Sequence, residues 1–159
     1  MTGRIGTLLA AMATVGILLG VMLCPPAYSQ TLTLRTEREL FAAVNDARRA
    51  LGLTPLRWDE SLATAARRHA KVMAERGSAQ HEFEGEPSLS ARVKQARAHF
   101  SWLSENVTQG PTPQFIHTQF MKSPAHRANI LDRDMDSIGI GVVEQGGRLF
   151  AVEDFSQAR

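Results

Sequence analysis

The stretch Ser137-Ile138-Gly139-Ile140-Gly141-Val142-Val143, then Gly146-Gly147, then Leu149-Phe150-Ala151-Val152-Glu153-Asp154-Phe155, decides the fold class. Both apolar runs are β-type, and the paired glycines between them are a hairpin signal. The chain therefore closes on two antiparallel strands. Upstream the periodicity is helical. Thr36 reads as a helix N-cap with Glu39 completing a capping box; Leu40, Phe41, Val44 and Ala47 share one face, and Gly52 stops the helix. Pro55 to Trp58 reads as a short extended link. Asp59 caps a second helix whose inner stripe is Leu62, Ala65, Ala66, His69, Ala70 and Met73, with Gly77 at its end.

His81 to Glu86 reads as a loop. Ser88 or Ser90 opens a third helix, with Leu89, Val93 and Ala96 inward. Phe100 to Val107 is a strand entry and Gly110 to Pro113 a loop. Phe115 to Met121 is helical, and Ser123-Pro124 opens a further turn of helix through Ile130-Leu131. Helices followed by a terminal hairpin give an α+β class, with helices covering a small sheet.

The chain has 159 residues, the size of one domain. Arg4 followed by the uncharged apolar run Ile5–Leu23 reads as a signal peptide over residues 1–29, with Ala27 and Ser29 fitting a cleavage site. An uncleaved anchor is the competing reading, and a lipid anchor on Cys24 ranks last, because Leu23 stands where a small residue is needed. Residues 30–36 then form a short linker and 37–157 the domain. Cys24 is the single cysteine, so an exported domain is held by core packing without disulfides. With 18 Lys+Arg against 16 Asp+Glu, scattered among one another, there is no footprint for nucleic acid.

Seven ordered motifs carry a resemblance. They are Asn45-Asp46-Ala47-Arg48; Leu56-Arg57-Trp58-Asp59-Glu60-Ser61-Leu62; His81; Ser104-Glu105-Asn106-Val107; Phe120-Met121-Lys122-Ser123-Pro124-Ala125-His126-Arg127-Ala128-Asn129-Ile130-Leu131; Ile138 to Val142; and Val152 to Ser156. Together they resemble the CAP superfamily, the cysteine-rich secretory, antigen-five and pathogenesis-related group, in its bacterial SCP-like version. The resemblance implies a three-layer α-β-α sandwich, a small antiparallel sheet flanked by helices. Ser104 replaces a usual glycine, so the backbone there does not need a positive φ. Ser123 stands near the position where animal members carry a second acidic residue.

By resemblance, His81, Glu105 and His126 form a cleft able to hold a divalent cation, zinc above all. Two imidazoles and a carboxylate match an open zinc site in ligand count. Asn106, Ser123, Arg127 and Asn129 take supporting roles, and Arg48 pairs with an acid to anchor the first helix. His69 reads as packing or interfacial; His99 and His117 have no family counterpart, and His117, upstream of His126, either approaches the pocket or, as the preferred reading, is exposed. No G-x-S-x-G elbow or mature cysteine supports nucleophilic catalysis. The leading expectation is an exported, monomeric, non-enzymatic binding module, secreted or periplasmic, for an extracellular ligand, lipid or protein. The alternatives are a metal-dependent hydrolase of envelope or extracellular polymers and a structural scaffold. A membrane enters only through the N-terminal segment.

Overall fold

The computed structural model describes the backbone of residues 26–157 and the side chains of residues 31–157; the apolar run Ile5–Leu23 and Cys24 lie outside the described residues. The element order is α1 (Pro26–Ala50), β1 (Arg57–Trp58), α2 (Glu60–Arg76), α3 (Leu89–Gln95), β2 (Trp102–Gly110), α4 (Pro113–Lys122), α5 (Pro124–Leu131), β3 (Ser137–Gln145) and β4 (Arg148–Gln157). Among the described residues no helix is long and apolar enough to cross a membrane.

Two expectations at the start of the domain need correction. Residues 30–36 are not a linker but part of α1. Thr36 is not a cap: it is buried within the helix, and Glu39 takes Arg35 Nε at 2.9 Å across one helical turn. A cap signal is local, and here the preceding backbone is already helical, so no orphan N–H groups remain for Thr36 to satisfy. The second helix behaves as read. The Asp59 carboxylate accepts from the N–H of Ser61 and Leu62, and Gly77 closes α2 at φ 64°.

The sheet order is β1-β3-β4-β2. β3, β4 and β2 are antiparallel neighbours, with Val142 opposite Ala151 and Glu105 opposite Asp154. β1 pairs in parallel with β3, so the sheet is mixed rather than wholly antiparallel. The reason is that two residues carry no readable alternation. The link Pro55–Trp58 becomes a strand only because Arg57 N and Asp59 N reach Asp136 O and Ile138 O, both at 2.9 Å.

The alternation of β3 separates the two faces. Ile138, Ile140 and Val142 join Leu40 and Val44 of α1, Ile116 and Phe120 of α4 and Ile130 of α5 in one core. On the opposite face Phe150, Val152 and Val107 pack on Ala66, Ala70 and Met73 of α2. Leu62 and Ala65 extend that layer to Val93 of α3. The α-β-α sandwich is thus present. Its tightest contact is α2 on β3: a Cβ on Gly139 would stand 2.0 Å from Ala63 N, and one on Gly141 2.1 Å from Arg67 N. Only hydrogen at those two positions lets helix and strand approach so closely.

Arg48 anchors α1 chiefly through carbonyls, with the Asp132 charge nearby adding electrostatic support. Its buried guanidinium donates to the carbonyls of Thr54, Ile130, Asp132 and Met135, fixing α1 to the segment after α5. β4 is buried from Leu149 to Ser156 and so carries Glu153 and Asp154 into the interior. Burial pushes the Glu153 carboxyl up to about 8, opposed by a hydrogen bond from Asn106.

Gly139→Ala is expected to cost about 3 kcal/mol, since backbone must move to admit one methyl. Gly146→Ala meets open space and carries only the positive-φ penalty of about 1 kcal/mol. Urea denaturation of the two variants checks the ranking, and equal losses contradict it. Glu153 binds its proton more tightly folded than unfolded, so stability should fall as pH rises from about 4.5 toward 8. Glu153→Gln should be more stable than wild type at pH 8, on the order of 1–2 kcal/mol, and show a shallower decline, since the buried Asp154 carboxyl, also raised, still contributes in the same sense. Thermal melts across that range read it directly.

Candidate functional site

Glu105 lies on β2 with its side chain on the α2 side of the sheet, opposite Asp154. It is 7% exposed, so its charge needs partners. Its Oε1 accepts from His81 Nδ1 at 2.8 Å, and its Oε2 accepts from Arg92 Nη2 of α3. Arg92 also donates to the carbonyls of His81 and Pro87 at 3.3 and 3.1 Å, so one guanidinium ties the loop of His81 to the carboxylate it meets. The Glu105 hydrogen bond is the main reason the His81 imidazole keeps its proton above the ordinary value.

His126 reaches the same region from the first turn of α5. Its ring centroid is 6.4 Å from that of His81, and it stands edge-on to Phe120 at 5.3 Å. Ser123 caps α5, its Oγ accepting from His126 N at 3.5 Å, which sets where the imidazole leaves the helix. Partial burial, and then the neighbouring His81, push the His126 imidazole below its ordinary value. The two rings thus differ in proton affinity for stated reasons: one is bonded to a carboxylate, the other is desolvated beside a cation.

The asparagines hold this arrangement from the other face of the sheet. Asn106 donates to His126 O and to Glu153 Oε2, both at 3.1 Å. Asn129 donates to Asn106 Oδ1 at 2.9 Å and to Glu105 O at 3.3 Å. Asn106 is fully buried, so its Asn-Val-Thr sequence is not open to modification in the fold. Arg127 does not join them; it is exposed along a groove with Met121, Lys122 and Leu131. One step along the helix separates the inward His126 from the outward Arg127.

Sequence reasoning missed several members of the cluster. His69 is not a packing residue alone: fully buried, it bonds Glu86 Oε1 through Nδ1 at 2.7 Å and Gln80 O through Nε2 at 2.9 Å. It thereby grips both ends of the His81 loop. The signal was present, since His69 falls on the inner stripe of α2 and an inward imidazole needs two partners. Asp154 is also fully buried, its carboxyl pushed well above the usual range by burial and then by the Glu105 carboxylate beside it. Its register opposite Glu105 had no sequence signal. His117 is half-buried on α4, in a groove with Glu39 and Gln114 and away from this cluster; its Nδ1 has no partner among the described residues. His99 is exposed.

As donors to a cation, the residues divide. Both Glu105 oxygens are engaged, one by a guanidinium, so this carboxylate orients His81 rather than offering a lone pair. His81 keeps Nε2 available, and His126 its ring nitrogens. Among the described residues no three His, Cys, Asp or Glu side chains form a group suited to a metal ion. The donor set is therefore two imidazoles, one of them oriented by a carboxylate. Ser104 Oγ is buried with no partner among the described residues, and Ser123 Oγ accepts from His126 N, so neither is hydrogen-bonded to an imidazole.

Comparison with known proteins agrees with this architecture. The chain is 31% identical over 111 residues to the uncharacterized protein YkwD of Bacillus subtilis (strain 168), covering 69% of this chain and 43% of that one. It superposes on an extracellular protein containing a SCP domain from Bacillus anthracis with a TM-score of 0.78 and 22% identity, over 84% of this chain and 44% of that one. The chain thus spans under half the length of either relative. An outer surface protein of Borrelia burgdorferi gives a TM-score of 0.72 and 20% identity, over 79% of this chain and 94% of that one. NaASP2, a structure with Zn2+, shares the fold at a TM-score of 0.55 and 11% identity, over 86% of this chain and 85% of that one. The cysteine-rich secretory protein family profile matches residues 41–155, and with the sandwich, the ordered motifs and this match, the chain belongs to the CAP family.

Proposed function

We propose that this domain acts outside the cytoplasm as a non-enzymatic binding module whose contact point is the His81–His126 face, with a divalent cation such as zinc as a weakly held ligand. The observation that carries the reading is Glu105 fixed to His81 Nδ1 at 2.8 Å beside a second imidazole 6.4 Å away. A carboxylate on one ring nitrogen sets the tautomer and raises the basicity of the other, which is how proteins prepare a histidine for a cation. A borderline cation such as zinc suits imidazole nitrogen. It would add positive charge at the surface, where it could recruit an anionic group of a partner. Export is supported by the descriptions of the Bacillus anthracis and Borrelia proteins as extracellular and outer-surface. A cation here is supported by the zinc-containing NaASP2 structure.

A hydrolase reading is less well supported. A catalytic zinc ordinarily has three protein ligands and an open position. Glu105, the third residue in the sequence pattern, is bonded to Arg92 and His81 and is poorly placed to serve as ligand or as general base.

Calorimetric zinc titration of the full chain tests the proposal. The expected Kd is about 0.1 mM, near −5.5 kcal/mol, as befits a loosely held ion. His81→Ala and His126→Ala should each abolish the heat signal; His126→Ala should leave the circular-dichroism melt nearly unchanged, and His81→Ala should lower it only modestly, because Glu105 keeps Arg92 and the exposed side of His81 opens to water. If both variants bind zinc like wild type, the His81–His126 face is not the contact point. The two imidazoles should also titrate apart. By NMR, His81 is expected to lose its proton above pH 6.5 and His126 below it. A proton and a cation compete for each ring, so zinc affinity should rise with pH until His81 has titrated. A pH-independent affinity contradicts this.

A further inference from the structure

A second groove, of about 320 Å³, lies over the first turn of α2 at the end of the sheet where β1 and β3 begin. It shares no residue with the His81–His126 face. Its walls include Arg57 and Trp58 of β1, Ser61 of α2, Ser137 of β3, and Arg97 and His99 from the turn after α3. Asp59 also lines it, with its carboxylate bound to the N–H groups of Ser61 and Leu62.

Arg97 is the informative residue. It sits at φ 66°, the only positive-φ residue other than glycine among those described. The position is the left-handed one that follows a helix: Arg97 N donates to Lys94 O at 2.9 Å and Ala98 N to Val93 O at 3.2 Å. Glycine is the ordinary occupant, because a Cβ is strained there. The sequence keeps the strain, Arg97 lines the groove, and no side-chain hydrogen bond or ion pair of Arg97 is found among the described residues. Strain held without a local reward is a pointer to function.

A second arginine lines the same groove. Arg57 is 72% exposed and touches Asp136 only at 3.5 Å. Asp136 in turn accepts a closer bond from Ser137 Oγ at 2.6 Å. With Ser137 Oγ committed to Asp136, the donors lining the hollow are Arg57, Arg97, Ser61 and His99, and arginine supplies the planar fork that suits a tetrahedral oxyanion. Trp58 adds a flat wall, with its Nε1 committed to Glu60 at 2.8 Å. We infer that this groove binds a phosphate group, held between Arg57 and Arg97, whether free or carried on a sugar that lies against Trp58.

The test uses inorganic phosphate and glucose 6-phosphate as probes, with glucose as the uncharged control. Binding is read by calorimetry or phosphorus NMR, and stability by thermal melts. Wild type is expected to bind phosphate with a Kd of about 1 mM. Arg97→Gly should weaken that binding at least about tenfold while raising the melting temperature by about 3 °C, as the backbone relaxes. Arg57→Gln should weaken binding similarly without raising the melt. Tighter binding of glucose 6-phosphate than of phosphate assigns the sugar-borne source; equal binding assigns the free ion. No saturable binding by wild type overturns the proposal. So does an Arg97→Gly variant that melts higher yet binds phosphate unchanged, or one that melts lower, which would make Arg97 a structural residue.

Discussion

A carboxylate buried at Glu105 cannot stand alone, and the way it is satisfied organises the rest of the site. One oxygen takes Arg92, the other His81, and its backbone carbonyl takes Asn129. Those contacts join β2 to α3, to the loop after α2 and to α5. An unpaired charge at that depth would cost several kcal/mol, so the fold is obliged to bring these segments together. The proximity of His81 to His126 is a consequence of meeting that demand. Opposite it on β4, burial and then the Glu105 carboxylate push the Asp154 carboxyl well above its usual range.

The two faces of the sheet divide the labour. The α2 face carries Glu105, Asp154 and the Gly139 and Gly141 contacts; the other carries Asn106, Glu153 and the main core. His81 arrives from the first layer and His126 from the third, and they meet beside β2, an outer strand of the sheet. A site assembled at an edge by both layers needs every layer in place. Close α2–β3 packing therefore matters to the site through the loop of His81, which α2 controls by way of His69, Gln80 and Glu86.

Much of the fold was legible, for physical reasons that can be named. The helix stripe of α2, its Asp59 cap and its Gly77 stop are local, as is the Gly146-Gly147 turn. The family motifs marked His81, Glu105, Asn106, Ser123, His126 and Asn129 as neighbours, and the folded chain joins them in one network. The failures also share a cause. Thr36 has the chemistry of a cap, but its meaning depends on whether the chain before it is already helical. Arg127 shares a motif with His126 yet faces away, because adjacent helical residues lie about 100° apart. Arg48 was expected to pair with an acid; Asp132 is near it, but its hydrogen bonds go to four carbonyls, which no motif announces.

The sequence by itself determined the type and order of most of the elements, β1 and the start of α1 excepted, together with the caps that bound α2, the closing hairpin and the identity of the chemically capable side chains. Those depend on hydrogen bonds and periodicities that reach only a few residues along the chain. Tertiary structure alone decided which partner each buried polar group took: Arg92 for Glu105, Glu86 for His69, Asp154 opposite Glu105 and β1 beside β3. Such pairings join residues up to about eighty positions apart, and they form because burial makes an unsatisfied polar group costlier than any local preference.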